Sequence, residues 1–170
     1  PEPRELALLR SLRLDGLIAH AFHVALIKRL RALRKPFVNV ATSMIGELPA
    51  ASVITDNAAV GRLAAKHLLD RGFRHFGWIG HSRYYYAVRQ EAGFRQTIEA
   101  AGFAVSSYYD RTERSFRPRV RWWGLDKAVQ RWLKSLPKPT GVLASSDTWG
   151  FQLTEACRLV GLRIPEDLAL

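Results

Sequence analysis

Residues 53–80 read VITDNAAVGRLAAKHLLDRGFRHFGWIG. A short apolar run gives way to Asp56 and Asn57, then to a segment with helical periodicity, then through "DRGFR" to a second apolar run. Within 57–71 the apolar stripe is read as Val60, Leu63, Ala64, His67 and Leu68, at the spacing of one helix face. Strand, helix and strand in 28 residues is the repeating unit of a parallel sheet. The carboxylate and amide at its first junction either start the helix or also face something bound above it.

The same alternation runs outward in both directions. Strand candidates are 16–19, 36–40, 52–55, 75–80, 103–108, 141–146 and the terminal "LAL". Between them, helical stripes occupy 4–12, 22–34, 87–100, 122–136 (Trp122, Leu125, Val129, Trp132, Leu133, Leu136) and 149–160 (Trp149, Leu153, Ala156, Cys157, Val160). "DRGFR", "EAAGFAV" and "RLVGLRI" each put a glycine after the stripe and a large apolar residue next. That is how a helix stops on a left-handed residue and packs the following side chain back on its last turn. The fold class expected is α/β, with doubly wound parallel sheets covered on both faces. The chain begins in or before a helix and ends as a strand starts, which reads as an incomplete fragment.

Bulk composition narrows the function classes. The 170 residues are 48% hydrophobic, enough for a packed core. No apolar run approaches the roughly 20 residues of a membrane span, and the first residues lack signal-peptide organisation. One cysteine, Cys157, excludes an internal disulfide framework and is read as a core residue in a reducing compartment. The net charge of +11 collects in 28–35 and 111–138. In the first of these, Lys28, Arg31 and Lys35 lie opposite Leu26, Ile27, Leu30 and Leu33, the pattern of a solvated face. No zinc-finger spacing, helix-turn-helix or stacked-aromatic ribonucleoprotein motif accompanies the charge.

In doubly wound sheets, ligands bind beyond the carboxyl ends of the strands. The junctions are therefore 19–23, 40–44, 55–57, 80–89 and 145–150. Asp56 and Asp147 are read as helix caps whose spare lone pairs can also reach a ligand. Junction 80–89 gathers His81, Arg83, Tyr84, Tyr85, Tyr86 and Arg89. Flat rings with hydroxyls and a rigid fork of donors suit a small polyhydroxylated or carboxylated ligand, and some of the tyrosines can equally fill a wall. Phosphate loops, dinucleotide fingerprints, nucleophile elbows and metal-ligand spacings are missing, so neither a cofactor, a metal nor an enzymatic activity is expected.

The run D-N-x-x-x-G-x-x-A-A-x-H-L-x-x-R-G-F, the "AGFR" opening the next helical segment and "EACRLVGLRIPED" together resemble the effector-binding region of lactose/galactose-repressor-type transcription regulators. The xylose operon regulator branch is the nearest in pattern. The resemblance covers nearly the whole chain. It implies a two-lobed periplasmic-binding-protein-like fold, with 1–73 in one lobe and 74–170 in the other. It also implies a sugar such as a pentose in the cleft, a homodimer, a cytoplasmic protein, and DNA contacted only through a domain outside this chain. Ligand contacts would fall on Asp56, Arg89 and Asp147, with Tyr84, Tyr85, Tyr86 or Trp149 covering the ring. Two departures stand out: Gln90 where the family usually has arginine, and Ser146 where asparagine is common. A sugar-binding protein of a transporter shares the fold and is the alternative.

Overall fold

A computed structural model describes residues 3–21, 24–40, 50–110 and 127–170. Trp122, Leu125, His23, residues 41–44 of the second junction and the first part, 111–126, of the basic segment 111–138 lie outside the described residues. The chain forms two compact units, Pro1–Asp56 with Tyr84–Tyr86, and Asn57–Arg83 with Ala87–Leu170.

The first unit carries α1 (Pro3–Ser11), β1 (Leu17–Ala19), α2 (Val24–Arg31), β2 (Phe37–Asn39) and β3 (Ala51–Ser52). Its three strands are parallel in the order β1-β2-β3, with Ile18 opposite Val38 and Val38 opposite Ala51. Ile27 and Leu30 of α2 are buried with Ala21, and Leu6, Leu9, Leu17, Leu26, Leu33 and Phe37 pack around them. Lys28, Arg31 and Lys35 are exposed, as the sequence pattern requires.

The second unit carries α3 (Asn57–Asp70), β4 (Phe76–His81), α4 (Tyr85–Ala100, whose first two residues group with the first unit), β5 (Val105–Asp110), α5 (Lys127–Ser135), β6 (Thr140–Ala144), α6 (Asp147–Val160) and β7 (Leu168–Ala169). Its parallel strands stand in the order β5-β4-β6-β7. From β4 the chain moves one way to β5 and then returns past β4 to β6 and β7. With right-handed crossovers, α4 lies on one face and α5 and α6 lie on the other. Side chains agree: Ile79 and Val142 enter the core of α5 and α6 with Val129, Leu133, Leu153 and Cys157. A Cβ on Gly141 of β6 would meet Leu68 of α3 at 2.9 Å, so α3 lies close on that strand.

The face of α3 differs from the expected stripe. Its buried residues are Asn57, Gly61, Ala65 and Leu68, while Val60 and Leu63 are 37% and 71% exposed and His67 is exposed. The reason lies in α4. A Cβ on Gly61 would fall 1.9 Å from the Gln90 carbonyl oxygen, and one on Gly93 would fall 2.1 Å from that of Ala58. The two helices cross backbone against backbone, and only small residues fit between them. Division of the chain at 73/74 puts α3 in the first lobe, whereas here these contacts group it with the second unit.

Helix ends follow the sequence closely. Gly72, Gly102 and Gly161 have φ of 81°, 84° and 76°. At each, the next residue donates its N–H back five residues, Phe73 to Leu68, Phe103 to Ile98 and Leu162 to Cys157, at 3.3, 3.1 and 2.9 Å. Cys157 is 1% exposed. Burial pushes its thiol up to about 11, with Lys138 pulling weakly the other way, so it stays protonated and unreactive at neutral pH.

Before β7, Arg163 donates from its backbone N–H, Nε and Nη2 to the Asp167 carboxylate, each at 2.9 Å. The side-chain and backbone hydrogen bonds hold the carboxyl down at about 2, against 3.8 unperturbed. A depressed folded-state value means that the pair's stabilisation is complete above the unfolded value and is lost as pH falls toward about 2. A carboxyl ¹³C titration is expected to place Asp167 near 2 and to return it toward 3.8 in Arg163→Ala.

Candidate functional site

The strand order of the second unit locates its crevice. Connections leave β4 and β6 in opposite directions, so the topological switch point lies between their carboxyl ends, where ligands of open α/β sheets bind. The residues there are Gly80 and His81 of β4 and Ser145, Ser146 and Asp147 after β6.

The strand tips are polar inside. Among the described residues, seven polar or charged side chains are buried, and four of them, Asn39, His81, Asp110 and Ser145, end or directly follow β2, β4, β5 and β6. Buried polar groups require partners. Asn39 Oδ1 accepts the Ala21 N–H at 2.9 Å and so ties the loop after β1 to β2. His81 Nδ1 accepts the Arg83 N–H at 3.0 Å, which turns the chain at the end of β4. Asp110 stands opposite His81 in the parallel register. The sequence reading passes over Asn39, Asp110 and Ser145. For Asn39 and Ser145 the signal was available, since each is the first polar residue after an apolar run, whereas Asp110 closes a strand that already holds Ser106 and Ser107.

The seven expected site residues divide between the units. Asp56 is exposed in the first unit, with Tyr84, Tyr85 and Tyr86, all half-buried. Tyr84 and Tyr86 stack nearly parallel, with centroids 5.5 Å apart and a 14° interplanar angle. Each therefore gives one face to the other. In the second unit, Arg89 is exposed on the early turns of α4, and Asp147 is exposed as the first residue of α6. Asp147 is not the cap of its helix. Ser146 occupies that position in extended conformation, and no side-chain cap hydrogen bond forms. Asp147 still favours the helix dipole from the first turn. Trp149 is 7% exposed and belongs to the core cluster with Ile79, Leu153 and Leu168.

α4 is fastened to the sheet by charge. Buried Glu91 accepts from Arg95 Nε at 2.8 Å and from Ser107 Oγ of β5 at 3.0 Å. Arg95 Nη2 reaches Ser107 Oγ at 2.8 Å and Nη1 reaches Glu99 at 3.2 Å. Burial opposes the charge on Arg95, but these hydrogen bonds outweigh it and hold the guanidinium above its ordinary pKa. Burial, with Glu91 nearby, also raises Tyr109. The clamp orients the helix whose first turns bear Arg89.

Elsewhere, a cavity of about 440 Å³ lined by Arg31, Lys35, Phe37, Ala50 and Ala51 lies at the amino ends of β2 and β3, away from the tips. No cluster of three metal-ligating side chains occurs among the described residues. None of their helices is long and apolar enough to cross a membrane.

Residues 65–170 match the periplasmic binding protein-like domain. The chain belongs to that family. It is 26% identical over 121 residues to the xylose operon regulatory protein of Haemophilus influenzae, covering 69% of this chain and 30% of that protein. It is 30% identical over 125 residues to the ribose operon repressor of the same organism, covering 73% and 36%. A solved structure of the xylose-binding transcription activator xylR aligns with a TM-score of 0.76 at 25% identity, over 91% of this chain and 41% of that one. The chain thus spans about a third of the length of these two curated relatives. These relatives are transcription regulators, and their likeness agrees with the doubly wound parallel architecture.

Proposed function

We propose that this chain is the sugar-sensing part of a cytoplasmic, homodimeric transcription regulator that takes a pentose such as xylose between two lobes. DNA would be contacted by a separate helix-turn-helix domain outside the chain. The observation that carries the reading is the layer of polar residues at the strand tips, with Asp147 exposed beside the switch point of a domain similar to xylose and ribose regulators. Two lobes, divided near 73/74 along the chain, are part of the proposal.

In this reading Asp56 accepts from ligand hydroxyls on one side, while Asp147 accepts and Arg89 donates on the other. The stacked Tyr84–Tyr86 pair and Tyr85 provide apolar cover, and Trp149 backs the site from the core. A sugar gripped from two lobes favours the closed arrangement by its differential affinity, about 1.4 kcal/mol for each tenfold preference.

The test uses the full-length protein. A thermal-shift screen of pentoses and hexoses is expected to select a pentose, and calorimetry then gives its affinity. Asp147→Ala is expected to weaken binding by about 10- to 100-fold, as for a lost charge-assisted hydrogen bond. Unchanged affinity would remove Asp147 from the site.

A further inference from the structure

The positive charge of residues 28–35 borders a cavity. Lys28, Arg29, Arg31, Arg34 and Lys35 stand within this stretch, and no acidic residue stands among them. The cavity of about 440 Å³ at the amino ends of β2 and β3 is lined by Arg31 and Lys35, with Phe37, Ala50 and Ala51 completing its described wall. Small-molecule sites span about 300–1,000 Å³, so the space is of ordinary size for one. Arg31 is the last residue of α2, and Lys35 lies beyond its end. The turn between them is left-handed at Arg34, with φ of 54°. The Arg34 N–H donates to the Arg31 carbonyl at 3.0 Å, the same bond back three residues that Gly72, Gly102 and Gly161 make at the ends of α3, α4 and α6. A side chain is strained in that conformation and glycine is not. Thus α2 stops on a strained cation where the other three helices stop on glycine.

Cations in the last turn of a helix complement its dipole, which accounts in part for Lys28 and Arg31. It does not account for Lys35, which is exposed past the helix and makes no hydrogen bond or ion pair among the described residues. The helix end contributes about half a negative charge, against two full positive charges on the wall, so the cavity favours an anion. Arginine presents a flat fork to two oxygens of a phosphoryl group, and lysine adds a compact point charge. A phosphate monoester, with nearly two negative charges at neutral pH, answers both cations where a single carboxylate would not. We propose that this cavity binds a small phosphorylated metabolite, with its phosphoryl group held by Arg31 and Lys35 and its organic part along Phe37. The site lies at the strand ends opposite those of the sugar crevice, and it stands independently of the sugar-sensing reading.

The experiment is calorimetry of the full-length protein in low-salt buffer with glycerol 3-phosphate, inorganic phosphate and glycerol. Glycerol 3-phosphate is expected to bind saturably, inorganic phosphate more weakly, and glycerol not at all. Lys35→Gln and Arg31→Gln are each expected to weaken glycerol 3-phosphate about tenfold, the size of one charge-assisted contact on a wetted surface. Added sodium chloride should weaken it further. Lys35→Gln removes an exposed side chain outside any helix, so its unliganded melting temperature and its affinity for xylose should hold. Absence of saturable binding, or equal binding by Lys35→Gln, overturns the proposal. Inorganic phosphate binding as tightly as glycerol 3-phosphate would make this a bare anion site and overturn the metabolite class. Capture of duplex DNA through the same two residues, tighter than that of glycerol 3-phosphate, would make it a polyanion face instead. Loss of glycerol 3-phosphate in Asp147→Ala would put the phosphate in the sugar crevice and overturn the assignment, whereas failure of xylose to bind leaves this site standing and removes only the sugar-sensing reading.

Discussion

Gly93→Ala should lower the stability of the folded chain by about 3 kcal/mol, at the upper end of what one added methyl costs in a packed interior. The new Cβ would lie 2.1 Å from the Ala58 carbonyl oxygen and 2.9 Å from its carbon. Those atoms are backbone, so no side chain can rotate away, and α3 and α4 must separate along their crossing. Gly61→Ala acts from the other side of the same contact, against the Gln90 oxygen and the Phe94 nitrogen. Because both substitutions force one separation, the double variant should cost less than the sum. Urea unfolding reads the effect as a lower midpoint at constant slope. A loss under 0.5 kcal/mol would mean that the helices do not meet as closely as described. A domain of this size has only about 5–15 kcal/mol to lose.

Leu153→Ala is expected to cost a similar amount, about 3 kcal/mol, by another route. Leu153 is fully buried in α6, in one cluster with Ile79 of β4, Leu133 of α5 and Leu168 of β7. Truncation leaves a cavity among side chains from four elements, none of which can collapse without moving a strand or a helix. Leu153 lies six residues after Asp147 on the same helix. Unfolding should therefore show the full loss, while sugar affinity changes much less than in Asp147→Ala. Equal losses of affinity in the two variants would mean that Asp147 depends on the core rather than on its own contact.

Much of this architecture is legible in the sequence, for physical reasons that vary by element. The α6 stripe is read correctly because Trp149, Leu153, Ala156 and Cys157 are apolar and face a core of side chains. The α3 stripe fails by the same rule. Large apolar residues at helical spacing mark the buried face only when side chains fill the interface. Where two backbones touch, the buried face is Gly61 and Ala65, and Val60 and Leu63 turn outward. Strand existence is read throughout, but β3 shrinks to two residues and β5 shifts to Val105–Asp110. The site is legible in part. Asp147 is placed at the right junction, one residue past the cap, because Ser146 extends to take that position. Ser145 escapes notice, since a serine after a strand is ordinary until Gly80 and Trp78 are seen beside it. That juxtaposition joins positions 65 residues apart and has no local sequence mark.

The glycines at the helix stops and those at the helix crossing face different futures under mutational drift. Gly72, Gly102 and Gly161 look onto open space, with no atom within 4 Å of where a Cβ would stand. Only their dihedral angle restricts them, and asparagine tolerates that angle at modest penalty. Gly61 and Gly93 have ordinary helical dihedrals and no room at all. Lineages descending from this chain can exchange the first three one at a time, whereas the crossing pair can change only if two helices move apart together.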